Sequence, residues 1–128
     1  MSVTYKVLSA VLSYPTAEFQ GAARELIFAL NEEKLLSARH RAAVGDLIEN
    51  IAEADLLEAQ SRYVDLFDRT RSLSLHLFEH VHGESRDRGQ AMVSLLERYQ
   101  QAGLDIAAHE LPDYIPLFLE FLSARPGG

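Results

Sequence analysis

Apolar residues recur at three- and four-residue spacing along most of this 128-residue chain, a period that only an α-helix turns into one buried face. Val3, Val7, Leu8, Val11 and Leu12 form a first stripe, and Pro15 ends it, because proline cannot donate to the helical ladder. Thr16 is placed to cap a second helix with Phe19, Ala22, Ala23, Leu26, Ile27 and Leu30 inward. Asn31-Glu32-Glu33-Lys34 reads as a polar connection. A third helix after Ser37 turns Val44, Leu47, Ile48 and Ile51 inward. Asp55 and Glu58 have capping-box spacing for a fourth, whose stripe is Leu56, Leu57, Gln60, Tyr63, Val64 and Phe67.

Residues 68–86 break this rhythm. Ser72-Leu73-Ser74-Leu75-His76-Leu77 alternates with period two, the pattern of a strand. A lone strand in a helical chain has no partner, so the segment is expected to form a loop and a short helix. Ser85 or Asp87 is positioned to cap a fifth helix that buries Met92, Leu95, Leu96 and Tyr99, and Gly103 suits its left-handed stop. The last helix begins in Glu110-Leu111-Pro112-Asp113-Tyr114-Ile115-Pro116. With Asp113 as N-cap, Pro116 falls where a missing N–H costs nothing, and Leu117, Phe118, Phe121 and Leu122 face inward. The expectation is an all-α single-domain bundle of about six helices over residues 1–125, with 126–128 as a frayed C-terminal end.

Composition narrows the function. The chain has no cysteine, which excludes disulfides, thiolate metal sites and cysteine nucleophiles. Twelve basic against nineteen acidic residues give a net charge of −7, unsuited to nucleic acid or an anionic membrane. No apolar run approaches the ~18 residues of a membrane span, and the N-terminus lacks a signal-peptide cleavage pattern, so a cytoplasmic location is expected. The charge is uneven: residues 1–68 carry net −5, 69–90 net +1 and 91–128 net −3. Such an acidic body attracts a basic partner.

His76, Glu79 and His80 match the H-x-x-E-H pattern of inverted zinc peptidases. On a helix, His76 and His80 would share a face as a metal pair, with Glu84, Asp87, His109 or Glu110 as third ligand. A five-residue pattern matches often by chance, and a polar, hydrogen-bonded segment orienting a loop is the favoured alternative. Asp68-Arg69-Thr70-Arg71 and Glu84-Ser85-Arg86-Asp87-Arg88 alternate in sign, which suits either solvated surface ion pairs or, the favoured reading, a network pinning residues 68–86 to the helices. The aromatic spacings Tyr63/Phe67 and Tyr114/Phe118/Phe121 fit either a core or a groove for a partner helix. There is no Gly-rich phosphate loop and no nucleophile elbow.

Four stretches carry a resemblance. They are Leu12-Ser13-Tyr14-Pro15, Tyr63-Val64-Asp65-Leu66-Phe67-Asp68-Arg69, the run from Ser74 to Val93, and Glu110-Leu111-Pro112-Asp113-Tyr114-Ile115-Pro116-Leu117. Together they resemble the TorD/DmsD/NarJ family, on its nitrate reductase (NarJ) side. The resemblance covers nearly all of the chain, and the Ser74–Val93 block makes it specific. It implies an all-helical fold, no catalysis and no cofactor of its own. It implies a chaperone that binds the twin-arginine-like N-terminal leader of the catalytic (alpha) subunit of respiratory nitrate reductase. The chaperone holds that subunit for molybdenum cofactor and iron–sulfur cluster insertion before membrane docking.

The matching motifs imply a peptide-binding set of Tyr63, Phe67, Pro112, Asp113, Tyr114 and Leu117. Asp113 is expected either to pair with a leader cation or to cap its own helix. A second set, Glu79, His80, His82, Glu84, Arg86, Asp87 and Arg88, is expected to be structural or to contact the client, with no metal. The rival reading is a small zinc hydrolase built on His76, Glu79 and His80. Two departures stand out. Family members usually carry histidine where this chain has Tyr114, and a histidine titrates near pH 6.5 where a tyrosine does not. Family chains also run well past 128 residues with further helices, so this is a shortened form of the fold. Its uncovered helix stripes then predict a homodimer or an exchanged-helix oligomer.

Overall fold

A computed structural model describes residues 2–68, 73–81, 87–104 and 111–124, with Glu79 described through its backbone alone. Helices dominate it: α1 (Val3–Val11), α2 (Ala17–Gly21), α3 (Ala23–Glu33), α4 (Ala38–Glu53), α5 (Leu56–Tyr63), α6 (Leu77–Val81), α7 (Asp87–Gln101) and α8 (Ile115–Ala124). A π-helical turn, Val64–Asp68, continues α5. The all-α expectation holds. The larger helix number has two sources: the short α6, and a break in the expected second helix at Ala22, whose φ of −95° and ψ of 2° leave the helical well.

Local capping works as the side chains predict in two places. Thr16 Oγ1 accepts from the Phe19 N–H at 3.1 Å, and Ser37 Oγ accepts from the His40 N–H at 3.3 Å. The capping box at Asp55 does not form. Asp55 precedes α5 without a side-chain cap, and Glu58 instead meets Arg62 one turn on at 2.6 Å. Gly103 closes α7 with φ of 78°, the conformation expected of it.

Among the described residues, two apolar clusters form the interior. The first joins Val7 and Val11 of α1, Phe19, Ala23, Leu30 and Ile48. The second joins Leu95 and Tyr99 of α7 to Leu117 and Phe121 of α8, with the Tyr99 and Phe121 rings 5.1 Å apart. Helix α1 packs on both α3 and α8 and so touches both halves. The Ser2 N–H donates to the Ser123 carbonyl at 3.2 Å, and Ser9 Oγ donates to the Pro116 carbonyl at 2.6 Å. The start of α1 is held from a distance: the Glu33 carboxylate accepts from Ser2 Oγ and from the Val3 and Thr4 N–H groups at 2.9–3.0 Å. Residues 31–34 are therefore more than a polar connection, and Glu33 ends α3 while capping α1.

The period-two segment does find a partner, against expectation. His76 pairs antiparallel with Tyr114: the Leu77 N–H donates to the Asp113 carbonyl at 3.0 Å, and the Ile115 N–H to the Leu75 carbonyl at 2.7 Å. Two short extended pieces far apart in sequence satisfy each other, so no sheet is needed. This pairing also moves the start of the last helix. Helix α8 begins at Ile115 with Pro116 as its second residue, so Asp113 is not its N-cap.

Candidate functional site

The end of α1, the second half of α4, and α5 with its π-helical turn enclose an apolar groove of about 230 Å³. Tyr63 and Phe67 stand on one wall, Leu12 and Pro15 on another, and Leu47 and Ile51 on the third. Leu47 and Leu66 are 47% and 48% exposed at its edges. The helical stripe had turned Leu47 inward. It faces the groove instead, because α4 carries apolar residues on more than the side that meets the first core. A larger cavity of about 620 Å³, lined among others by Ser2, Lys6, Leu104 and Phe121, contains none of the six expected peptide-binding residues and none of the second set.

Tyr63 anchors the groove wall. Its hydroxyl donates to the Leu12 carbonyl at 2.9 Å and lies 3.2 Å from the Tyr114 hydroxyl. Because Tyr63 spends its one proton on Leu12, Tyr114 is the donor between the two phenols. Burial holds the Tyr63 phenol well above the ordinary tyrosine range, so it stays protonated. The Tyr63 ring meets Tyr14 edge-on at 5.7 Å and Phe67 at 4.9 Å. Tyr14 belongs to the Leu12-Ser13-Tyr14-Pro15 stretch and completes an aromatic cluster with two of the expected binding residues.

Of the six expected peptide-binding residues, Tyr63 and Phe67 line the groove, and Tyr114 backs it. The other three are interior. Leu117 belongs to the second core, and the Pro112 carbonyl accepts the buried Tyr99 hydroxyl at 2.7 Å. Burial and the nearby Asp113 charge raise the Tyr99 phenol above its usual range. Asp113 is 0% exposed. Its Oδ2 accepts from the Phe78 N–H at 3.0 Å, and its Oδ1 lies 3.4 Å from His76 Nδ1. Asp113 thus caps a helix, as one expected alternative had it, but the helix is α6 across the pairing rather than its own α8. In this arrangement its carboxyl is out of a leader cation's reach.

The metal alternative loses its expected geometry. Helix α6 starts at Leu77, so His76 precedes it and does not share a helical face with His80. His80 Nε2 lies 2.8 Å from the Ser74 carbonyl, which only accepts, so that nitrogen carries a proton and faces no metal. Among the described residues no group of three or more metal-ligating side chains converges. Asp87 opens α7 on the surface, Arg88 beside it is partly buried, and both take part in polar or ring contacts. His82, Glu84, Arg86, His109, Glu110 and the Glu79 side chain lie outside the described residues, and so do most members of the expected ion-pair network. The groove residues that sequence reasoning did not assign to a site include Leu12, Leu47, Asn50, Ile51, Arg62 and Leu66. For Leu47 and Leu66 the signal was the second apolar face of α4 and α5; Asn50 and Arg62 carried none.

This all-helical fold has a counterpart among solved structures. It superposes on a solved candidate redox enzyme maturation protein from Archaeoglobus fulgidus with a TM-score of 0.64 and 24% identity, over 96% of this chain and 70% of that one. Residues 33–126 match the nitrate reductase delta subunit family, and the chain belongs to that family. It is 47% identical over 120 residues to the nitrate reductase molybdenum cofactor assembly chaperone NarJ of Escherichia coli K12, covering 94% of this chain and 51% of that protein. NarW of the same strain is 45% identical over 122 residues, covering 94% and 49%. The chain therefore spans about half the length of these relatives. Both relatives are named for nitrate reductase molybdenum cofactor assembly.

Proposed function

We propose that this chain forms the client-binding part of a nitrate reductase assembly chaperone. In this reading it works in the cytoplasm and binds the twin-arginine-like N-terminal leader of the catalytic subunit. It holds that subunit until the molybdenum cofactor and an iron–sulfur cluster are inserted, and releases it before membrane docking. The observation that carries the reading is the aromatic-walled groove, in a family whose curated relatives are named for this assembly role. An apolar groove flanked by helices takes an amphipathic helix by its apolar face. The net charge of −7 favours a basic leader over an acidic one. Among the described residues no helix is long and apolar enough to cross a membrane. Tyr63 and Phe67 make the contacts, Tyr114 fixes Tyr63, and Asp113, Pro112 and Leu117 anchor the segment that carries Tyr114.

Calorimetry with a peptide copying the first ~15 residues of the catalytic subunit, about four helical turns, tests the reading. The expected result is one-to-one binding that weakens with salt and falls at least about tenfold in Tyr63→Ala, as loss of a buried aromatic anchor does. A folded chain that binds no peptide, or binds it unchanged in Tyr63→Ala, contradicts it. Self-association belongs to the same reading, because Leu57, Phe28 and Val81 are 75%, 66% and 64% exposed. Sedimentation at rising concentration is expected to show a dimer; a monomer at high micromolar concentration refutes that part.

A further inference from the structure

We infer that the groove receives one apolar side chain and an adjacent cation from the same peptide helix, and that Arg62 occupies the cation's place until the peptide arrives. The inference rests on the leader reading above and adds a specificity-determining residue to it. Size comes first. At about 230 Å³ the groove is smaller than the ~300–1,000 Å³ of small-molecule pockets, and it suits a side chain presented by a larger partner.

Charge then selects the partner. Asn50 and Arg62 are the polar residues lining a groove otherwise walled by groups such as Leu47, Ile51 and Leu66. Asp46, Asp55 and Glu58 each lie one helical turn before a lining residue, namely Asn50, Ala59 and Arg62. All three are exposed. Between residues 46 and 63 the chain has five carboxylates and one cation, Arg62. A second copy of this acidic chain is the wrong occupant for such a rim, and a basic amphipathic segment is the right one.

Arg62 spans the gap between the helices. One guanidinium nitrogen donates to Asn50 Oδ1 of α4 at 3.1 Å, and the other meets Glu58 Oε1 of α5 at 2.6 Å. The Arg62 and Glu58 side chains are 53% and 59% exposed, so their pair is screened and readily exchanged. An incoming guanidinium or ammonium takes the same two acceptors, and Arg62 swings into water. A neutral apolar peptide has nothing to give Glu58 in return. The groove therefore discriminates for an apolar residue flanked by a cation, beyond general attraction to negative charge.

The test uses the intact 128-residue chain, the ~15-residue leader peptide and a copy with its basic residues changed to glutamine. Arg62→Gln is expected to tighten the basic peptide roughly two- to fivefold, and Glu58→Gln to weaken it by a similar factor, the range an exposed ion pair spans. Arg39→Gln removes the same charge at the far end of α4, at least ~12 Å along the helix from Leu47, and is expected to change affinity less than Arg62→Gln. The glutamine copy is expected to lose the gain from Arg62→Gln. If the basic peptide binds but Arg62→Gln behaves like Arg39→Gln, or tightens both peptides equally, this inference is wrong and the leader reading stands. If neither peptide binds the folded chain, the leader reading fails and the inference falls with it.

Discussion

The two cores of this molecule are held together by different physics. The first, around Val7, Phe19, Leu30 and Ile48, is assembled from neighbouring helices, and the caps at Thr16 and Ser37 are written three residues from the groups they serve. The second, around Leu95, Tyr99, Leu117 and Phe121, is fixed by polar contacts between distant segments. Tyr99 reaches the Pro112 carbonyl, and Asp113 reaches the Phe78 N–H thirty-five residues back. The first half adds long-range bonds from Glu33 and Gln20 to its apolar packing, whereas the long-range bonds of the second run through the Pro112–Asp113 pair. The groove lies against the first half, while the Tyr63–Tyr114 contact couples it to the second.

The largest effect is expected in the first core. Leu30 is 0% exposed, so Leu30→Ala leaves a cavity and is expected to cost about 2–5 kcal/mol in denaturant unfolding. A smaller loss would mean that α3 and α4 collapse into the gap, and that this core is less tightly packed than its burial indicates. Next comes Asp113→Ala, expected to cost about 1.5–3 kcal/mol, because the Phe78 N–H loses a charged acceptor. Asp113→Asn keeps an acceptor oxygen and is expected to cost less. Amide exchange should locate the damage at Leu77 and Phe78 and leave α3 and α4 protected; uniform loss of protection would show that the two halves open as one unit.

Sequence reading succeeded where the fold is local and failed where it is not. The stripes through Val7, Val11, Leu30, Ile48, Leu95 and Tyr99, the cap at Thr16, the helix start after Ser37 and the stop at Gly103 were all legible, because each depends on residues a turn or two apart. The pairing of His76 with Tyr114 was not, since each half of an isolated bridge looks partnerless in its own segment. For the same reason Asp113 was legible as a cap but not as a cap for α6. The resemblance brought out Tyr63, Phe67 and Tyr114, yet the α4 side of the groove stayed hidden. Leu47 and Ile51 look like ordinary core residues until α4 is seen to serve two faces.

A smaller effect separates the halves by pH. The neighbouring Thr4 side chain, then the Thr4 and Val3 N–H groups and the Ser2 hydroxyl, lower the Glu33 carboxyl to about 2. Thr4 Oγ1 is buried without a hydrogen-bond partner, so the direct bonds come from the Ser2 hydroxyl and the Val3 and Thr4 N–H groups. The folded value lies below the ordinary 4.5, so this contribution is complete above pH 4.5 and is lost as pH falls from there towards 2. Acid is therefore expected to loosen the start of α1 first, seen as faster exchange at Val3 and Thr4. Glu33→Gln should lower stability at pH 7 and abolish this acid-dependent step; an unchanged step would assign it to another carboxylate.

The central claim is that the client segment enters the groove beside the first core and not the interior of the second. Titrating the isotope-labelled chain with the ~15-residue leader peptide and following its amide resonances tests this most directly. The account predicts perturbations concentrated on Leu47, Asn50, Arg62, Leu66 and Phe67, weaker ones at Tyr114, and near silence at Leu95 and Phe121. Perturbations confined to α7 and α8, with Leu47 to Ile51 unmoved, would contradict it.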